Sequence, residues 1–132
     1  MKQVEFIKKM LHKPWVNRSV SWDSVDCYGL VIMYYLHVMG KELPAIDGFK
    51  EGHHISECWN NSSWKTVDEP IDNGLVFTCY SGNKPAHVGI LISKTKVIHA
   101  RGDSKAAGKV EIHSLQALKR LYGKITYHQF MG

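Results

Sequence analysis

Three side chains of this sequence form a set able to do nucleophilic chemistry: Cys27, then His87 and, twelve residues further on, His99. A thiol attacks a carbonyl as its thiolate, and a helix N-terminus lowers a thiol's pKa through unpaired N–H groups and the positive end of the dipole. Cys27 is expected in the first turn of a helix that Asp26 can cap. Gly29 leaves room for backbone approach to a bound acyl group, and the Cys27 N–H can donate to the oxyanion of a tetrahedral intermediate. His87 opens the run His87-Val-Gly-Ile-Leu-Ile92, and His99 lies near the end of Val97-Ile-His-Ala100. Paired as a hairpin, these runs let one imidazole face Cys27 while the other hydrogen-bonds its far nitrogen, fixing the tautomer and stabilising the imidazolium. Taken singly, each residue has an ordinary reading, a buried small hydrophobe for the cysteine and a satisfied structural imidazole for each histidine. The combination shifts the balance toward chemistry.

The elements that must position these groups can be read from periodicity. Val4, Ile7, Met10 and Leu11 recur at helical spacing until Pro14 stops the pattern. Residues 17–24 read as a polar loop. A second helix is expected from Asp26 to Met39, with Leu30, Val31, Tyr34, Tyr35 and Val38 as a broad apolar face and Gly40 as its terminator. Residues 44–66 carry no clear pattern beyond a short helix near 49–58. After Pro70 come short β-rich runs at 75–80, 88–93, 96–100 and 109–113, separated by the turn signals Ser81-Gly-Asn-Lys-Pro85 and Ser93-Lys-Thr95. Ser114 can cap a short helix through Arg120, and 124–130 reads as a closing strand. Helices first and strands afterwards predict an α+β domain with helices on one side of an antiparallel sheet.

Composition sets the bounds. The chain of 132 residues, with 44% hydrophobic content, four Trp, six Tyr and four Phe, fits one globular domain spanning 1–132 with a real core. Leu30 to Leu36, the longest apolar run, falls well short of the roughly 20 residues that span a bilayer. The charged N-terminal decapeptide lacks the apolar core of a secretory signal, so a cytoplasmic location is expected for the chain as synthesised. Three cysteines without C-x-x-C spacing argue against a disulfide framework and a cysteine zinc site. The formal charge of +5 suits an anionic partner, but the basic residues are scattered, which favours a solvated basic surface over a nucleic-acid patch.

The blocks Asp26-Cys27-Tyr28-Gly29-Leu30-Val31, His87-Val-Gly-Ile90 and Ile98-His-Ala100 resemble, in order and in spacing, the three signature blocks of NlpC/P60 cysteine peptidases. Asp72-Asn-Gly74 before Leu75-Val-Phe77 also looks like that family's turn into its first sheet strand. The resemblance covers most of the chain. It implies a papain-like α+β fold with the Cys helix packed on an antiparallel sheet bearing both histidines, and a triad of Cys27, His87 and His99. It also implies amide hydrolysis in bacterial cell-wall peptides, usually between D-glutamate and a diamino acid, with a peptidoglycan stem peptide as partner and no cofactor or metal. Trp15 takes the place of the pocket aromatic that members carry about twelve residues before the nucleophile. Tyr28 stands where they usually have Ser, and Val16-Asn17 where they have a Gly pair. Trp15, Asp26 and Tyr28 are therefore the expected substrate-binding residues. The bulky aromatic after the cysteine, the single domain and the expected lack of an export signal together resemble the versions encoded among phage tail genes, which implies tail proteins as partners and association with the virion. Two rivals stay open: another amide hydrolase or acyltransferase on the same fold, and a non-enzymatic tail assembly module.

Other motifs carry less. Arg101-Gly102-Asp103 reads as an ordinary turn. His53, His54 and Cys58 lack a fourth ligand at suitable spacing for a metal. Cys58 and Cys79 read as core or half-buried thiols, and His12, His37, His113 and His128 fall into no pattern.

Overall fold

The computed structural model describes residues 1–43, 64–70, 74–102 and 108–132. The helix expected near 49–58, the candidates His53, His54 and Cys58, and Asp72-Asn73 and Asp103 lie outside the described residues.

Helix α1 spans Gln3–Met10. Its buried face is Phe6 and Met10, one turn apart, whereas Val4 is 55% exposed. The spacing located the helix, but its apolar stripe centres on Phe6, whose ring meets Tyr34 edge-on at 5.2 Å. The helix ends as His12 turns into the left-handed region at φ 70°. The next residues then join the sheet edge: His12 N–H donates to Val110 O, Val110 N–H to Lys13 O, and Trp15 N–H to Gly108 O. An edge strand that would otherwise present open backbone groups is thereby covered.

Helix α2 spans Cys27–Tyr34 and continues as a π-helical turn, Tyr35–Met39, closed by Gly40 at φ 67°. Six of its eight residues are buried, the pattern of a central helix apolar all round. Asp26 caps it, its Oδ1 accepting from Gly29 N–H at 2.6 Å.

The six strands are β1 (Trp64–Val67), β2 (Val76–Ser81), β3 (Lys84–Leu91), β4 (Lys96–Arg101), β5 (Lys109–Ser114) and β6 (Ile125–Phe130), with helix α3 at Leu115–Tyr122 capped by Ser114. They form one antiparallel sheet in the order β1-β6-β2-β3-β4-β5. Strict alternation sorts side chains to two faces. Val76, Val88, Ile90, Ile98, Ala100 and Val110 pack with α1 and α2, while Phe77, Cys79, Leu91 and Val97 pack with Leu115 and Leu118 of α3. The expectation of helices on one side is thus corrected: α3 covers the second face, because its own apolar residues leave it no other burial.

Candidate active site

Cys27 is the first residue of α2 and is partly exposed. The β3–β4 ladder is registered at Ile90↔Ile98 and Leu91↔Val97 and runs no further toward His87. The backbone N–H groups of Val88, Tyr28 and Cys27 itself lie near the Cys27 thiol and act to lower its pKa. The Cys27 thiol is therefore near the residue that follows His87. Those N–H groups favour a thiolate, as expected of a helix N-terminus. Burial and the neighbouring Asp26 carboxylate outweigh them and push the thiol up to about 12. The expected net lowering is reversed, and Cys27 rests as a neutral thiol.

His87 does not open its strand but lies within β3, paired with Cys79. A bulge falls between Cys79 and Tyr80, since Tyr80 pairs with Pro85 and Ala86 is the extra residue. A bulge re-aims the neighbouring side chains, and this one immediately precedes His87. The His87 Nε2 and His99 Nδ1 atoms lie 2.8 Å apart in a buried hydrogen bond. With Nε2 committed to His99, Nδ1 is the nitrogen left for another partner. Burial and the positive charges possible at His99 and Arg101 hold the His87 imidazole well below its usual range. Burial, His113 and Arg101 bring His99 down to about 4. Both rings are neutral at pH 7.

Phe77 floors the pair edge-on, with its ring 6.2 Å from His87 and 6.4 Å from His99. Tyr122, at the end of α3, stacks on His87 with centroids 6.1 Å apart and planes 15° apart. The Arg101 guanidinium lies over the Tyr122 ring, and burial raises the Tyr122 phenol above its usual range. Gly89 makes room: a Cβ there would meet the Phe77 ring at 2.6 Å and the His99 Cβ at 2.8 Å.

The expected substrate-binding residues are placed differently from one another. Trp15 is partly exposed, bridged to Val25 two residues before Cys27, with its ring against Gly102, where a Cβ would approach it to 2.7 Å. Both oxygens of Asp26 are taken by backbone, Gly29 N–H at 2.6 Å and Arg18 N–H at 2.9 Å. Asp26 as a whole is 4% exposed, and burial raises its pKa. Tyr28 is buried in the α2 core. Gly29 has a packing reason of its own, since a Cβ would lie 2.1 Å from Ser19 O. It lets the loop at 17–25 close on the helix.

Cys79 is the buried thiol expected, whereas the places of Arg101, Tyr122 and His113 at this site were not foreseen. Arg101 was visible through alternation, two residues beyond His99 on one strand. His113 required the β4–β5 register across 103–107, and Tyr122 required the packing of α3. A cleft lined by Tyr35, Met39, Lys41, Gly74 and Phe130 shares no residue with this constellation. Among the described residues no group of three or more His, Cys, Asp or Glu is arranged to hold a metal, and no helix is long and apolar enough to cross a membrane.

Comparison with known proteins agrees with this architecture. The NlpC/P60 domain of the peptidoglycan hydrolase SagA superposes with a TM-score of 0.61 at 21% identity, over 86% of this chain and 87% of that one. The tail tip assembly protein K of Escherichia phage N15 is 27% identical over 94 residues, 65% of this chain but 39% of that protein. The chain thus spans well under half the length of that relative. The NlpC/P60 family model matches residues 12–126, a span that contains all three histidine and cysteine blocks, and the chain belongs to the NlpC/P60 family.

Proposed function

We propose that this chain is a thiol hydrolase cleaving amide bonds in bacterial cell-wall peptides, with Cys27 as nucleophile, His87 as base and His99 as the residue that orients His87. The observation that carries the proposal is the 2.8 Å bond between His87 and His99, with the Cys27 thiol near the Val88 N–H that follows His87. It commits one nitrogen of His87 and leaves Nδ1 for the thiol.

Because thiol and imidazole both rest neutral, proton transfer accompanies attack. The Cys27 S–H proton passes to His87 Nδ1 as the sulfur bonds to the carbonyl carbon, and the Cys27 N–H donates to the oxyanion. His87 returns that proton to the departing amine as the C–N bond breaks, leaving a thioester. Water then gives a proton to His87 while its oxygen attacks, and collapse releases the acid and restores the Cys27 thiol. Trp15 is the residue we assign to the substrate wall, since it alone of Trp15, Asp26 and Tyr28 is neither buried nor consumed by backbone. The D-glutamyl–diamino acid bond is the favoured target, acting from a phage tail, with peptidoglycan stem peptide and tail proteins as partners.

The test is mass spectrometry of products from defined muropeptides, wild type against Cys27→Ala. Cleavage at the D-glutamyl bond by wild type alone supports the reading. Release of ammonia, acyl exchange or cleavage at the muramoyl amide selects a deamidase, an acyltransferase or an amidase. A second reading, a tail assembly module without turnover, is favoured by the name of the phage N15 relative and by the raised thiol. Equal inactivity of wild type and Cys27→Ala would select it.

A further inference from the structure

We propose that His113 is a positioning residue that turns the histidine pair into a directional chain of three imidazoles, oriented by Glu111. The proposal builds on the assignment of His87 as the base, but its geometry stands separately. His99 Nε2 lies 2.7 Å from His113 Nδ1, so both nitrogens of His99 are bonded to other imidazoles. Beyond it, His113 Nε2 lies 3.7 Å from Glu111 Oε2. Glu111 is the cross-strand partner of His99, and His113 sits two residues further along the same face of β5.

A neutral imidazole carries one ring proton. Each ring-to-ring bond needs one hydrogen, so three neutral rings joined by two bonds have only two arrangements. In one, His87, His99 and His113 are all protonated on Nε2, hydrogens point outward along the chain, and His87 Nδ1 is a free lone pair. In the other, all three are protonated on Nδ1, and His87 cannot accept a proton from Cys27. The second arrangement also aims the His113 Nε2 lone pair at the Glu111 carboxylate, which repels it. Glu111 therefore selects the first. Its side chain is 40% exposed and shared with Lys109 at 3.9 Å, so its pull is partly screened, but the cooperative bonds carry the choice inward. The other charges facing the chain are Arg101 on His87 and His99. Cys27, Cys79 and Tyr122 rest neutral beside it.

The experiment is nitrogen-15 NMR of histidine-labelled full-length chain at neutral pH, which reads each tautomer directly. Wild type is expected to show His87, His99 and His113 protonated on Nε2. His113→Phe should release the choice and populate Nδ1–H on His87. His113→Asn, whose Oδ1 replaces the acceptor, should restore Nε2–H. Glu111→Ala, at a half-exposed position, should raise the Nδ1–H population without threatening the fold, and it decides the matter if His113→Phe does not fold. In turnover, His113→Phe should lower kcat about tenfold or more with KM little changed, as when outer partners of functional histidines are removed. Nδ1–H on His87 in the wild type, or tautomers unmoved by both His113→Phe and Glu111→Ala, would overturn the proposal. A wild type that shows the Nε2 set but cleaves no peptide removes the hydrolase reading and leaves the imidazole chain intact.

Discussion

Gly89 lies beneath His99 so closely that any side chain there would strike it: a Cβ would stand 2.8 Å from the His99 Cβ and 2.6 Å from the Phe77 ring. The glycine in the His87-Val-Gly-Ile block therefore sets the height at which the second imidazole meets the first. It is the packing condition for the 2.8 Å bond between them.

Gly89→Ala should accordingly cost about 1–3 kcal/mol of stability by overpacking. Its effect on the histidine pair should be larger than its effect on the fold. Urea unfolding together with thiol alkylation checks this. An alanine variant of unchanged stability would mean that Phe77 moves aside freely.

Cys27 alkylation by iodoacetamide should be slow at neutral pH and keep rising through the alkaline range, because the thiol is pushed up to about 12. The Asp26 carboxylate is one cause of that shift. Asp26→Asn keeps an oxygen for the Gly29 N–H and removes the charge, so the alkylation profile should move to lower pH. Asp26→Ala should in addition cost about 0.5–2 kcal/mol through the lost cap. A rate plateau near neutrality in the wild type would reveal a preformed thiolate and contradict the neutral resting pair.

Stability should fall as pH drops from about 6.5 toward 4. Buried His99 and His128 are each brought down to about 4, while the unfolded chain takes up protons near the ordinary imidazole pKa of about 6.5. The unfolded state then binds more protons in this window, and the folded state loses on the order of 3 kcal/mol for each such histidine. His128, which bonds to Thr126 Oγ1 at 2.9 Å and contacts Thr66 Oγ1 at 3.3 Å, stands apart from the His87–His99 pair. Thermal unfolding of His128→Gln against pH should show a shallower acid slope than wild type. An unchanged slope would assign the acid sensitivity elsewhere.

Local patterns made much of this legible. Asp26 as a cap, α2 ending at Gly40, Ser114 as the second cap and the β runs after Pro70 follow from short-range chemistry, and all are seen. Where the reading missed, longer-range packing decided. Phe6 displaced Val4 from the core because Tyr34 and Trp22 wait opposite it. Gly29 is explained by the return of Ser19, ten residues earlier, onto the helix. The bulge before His87 depends on how β2 meets β3. His113 looked idle because its partner is set by β4–β5 register, and the net rise in the Cys27 pKa arises from burial that no spacing reveals.

The central claim is that Cys27, His87 and His99 work as one hydrolytic unit, and parallel digestion of purified peptidoglycan fragments by wild type and three alanine variants tests it most directly. Released amine should be abolished in Cys27→Ala, nearly abolished in His87→Ala and reduced less in His99→Ala, which loses only the orientation of His87. Full release by folded Cys27→Ala would contradict the account.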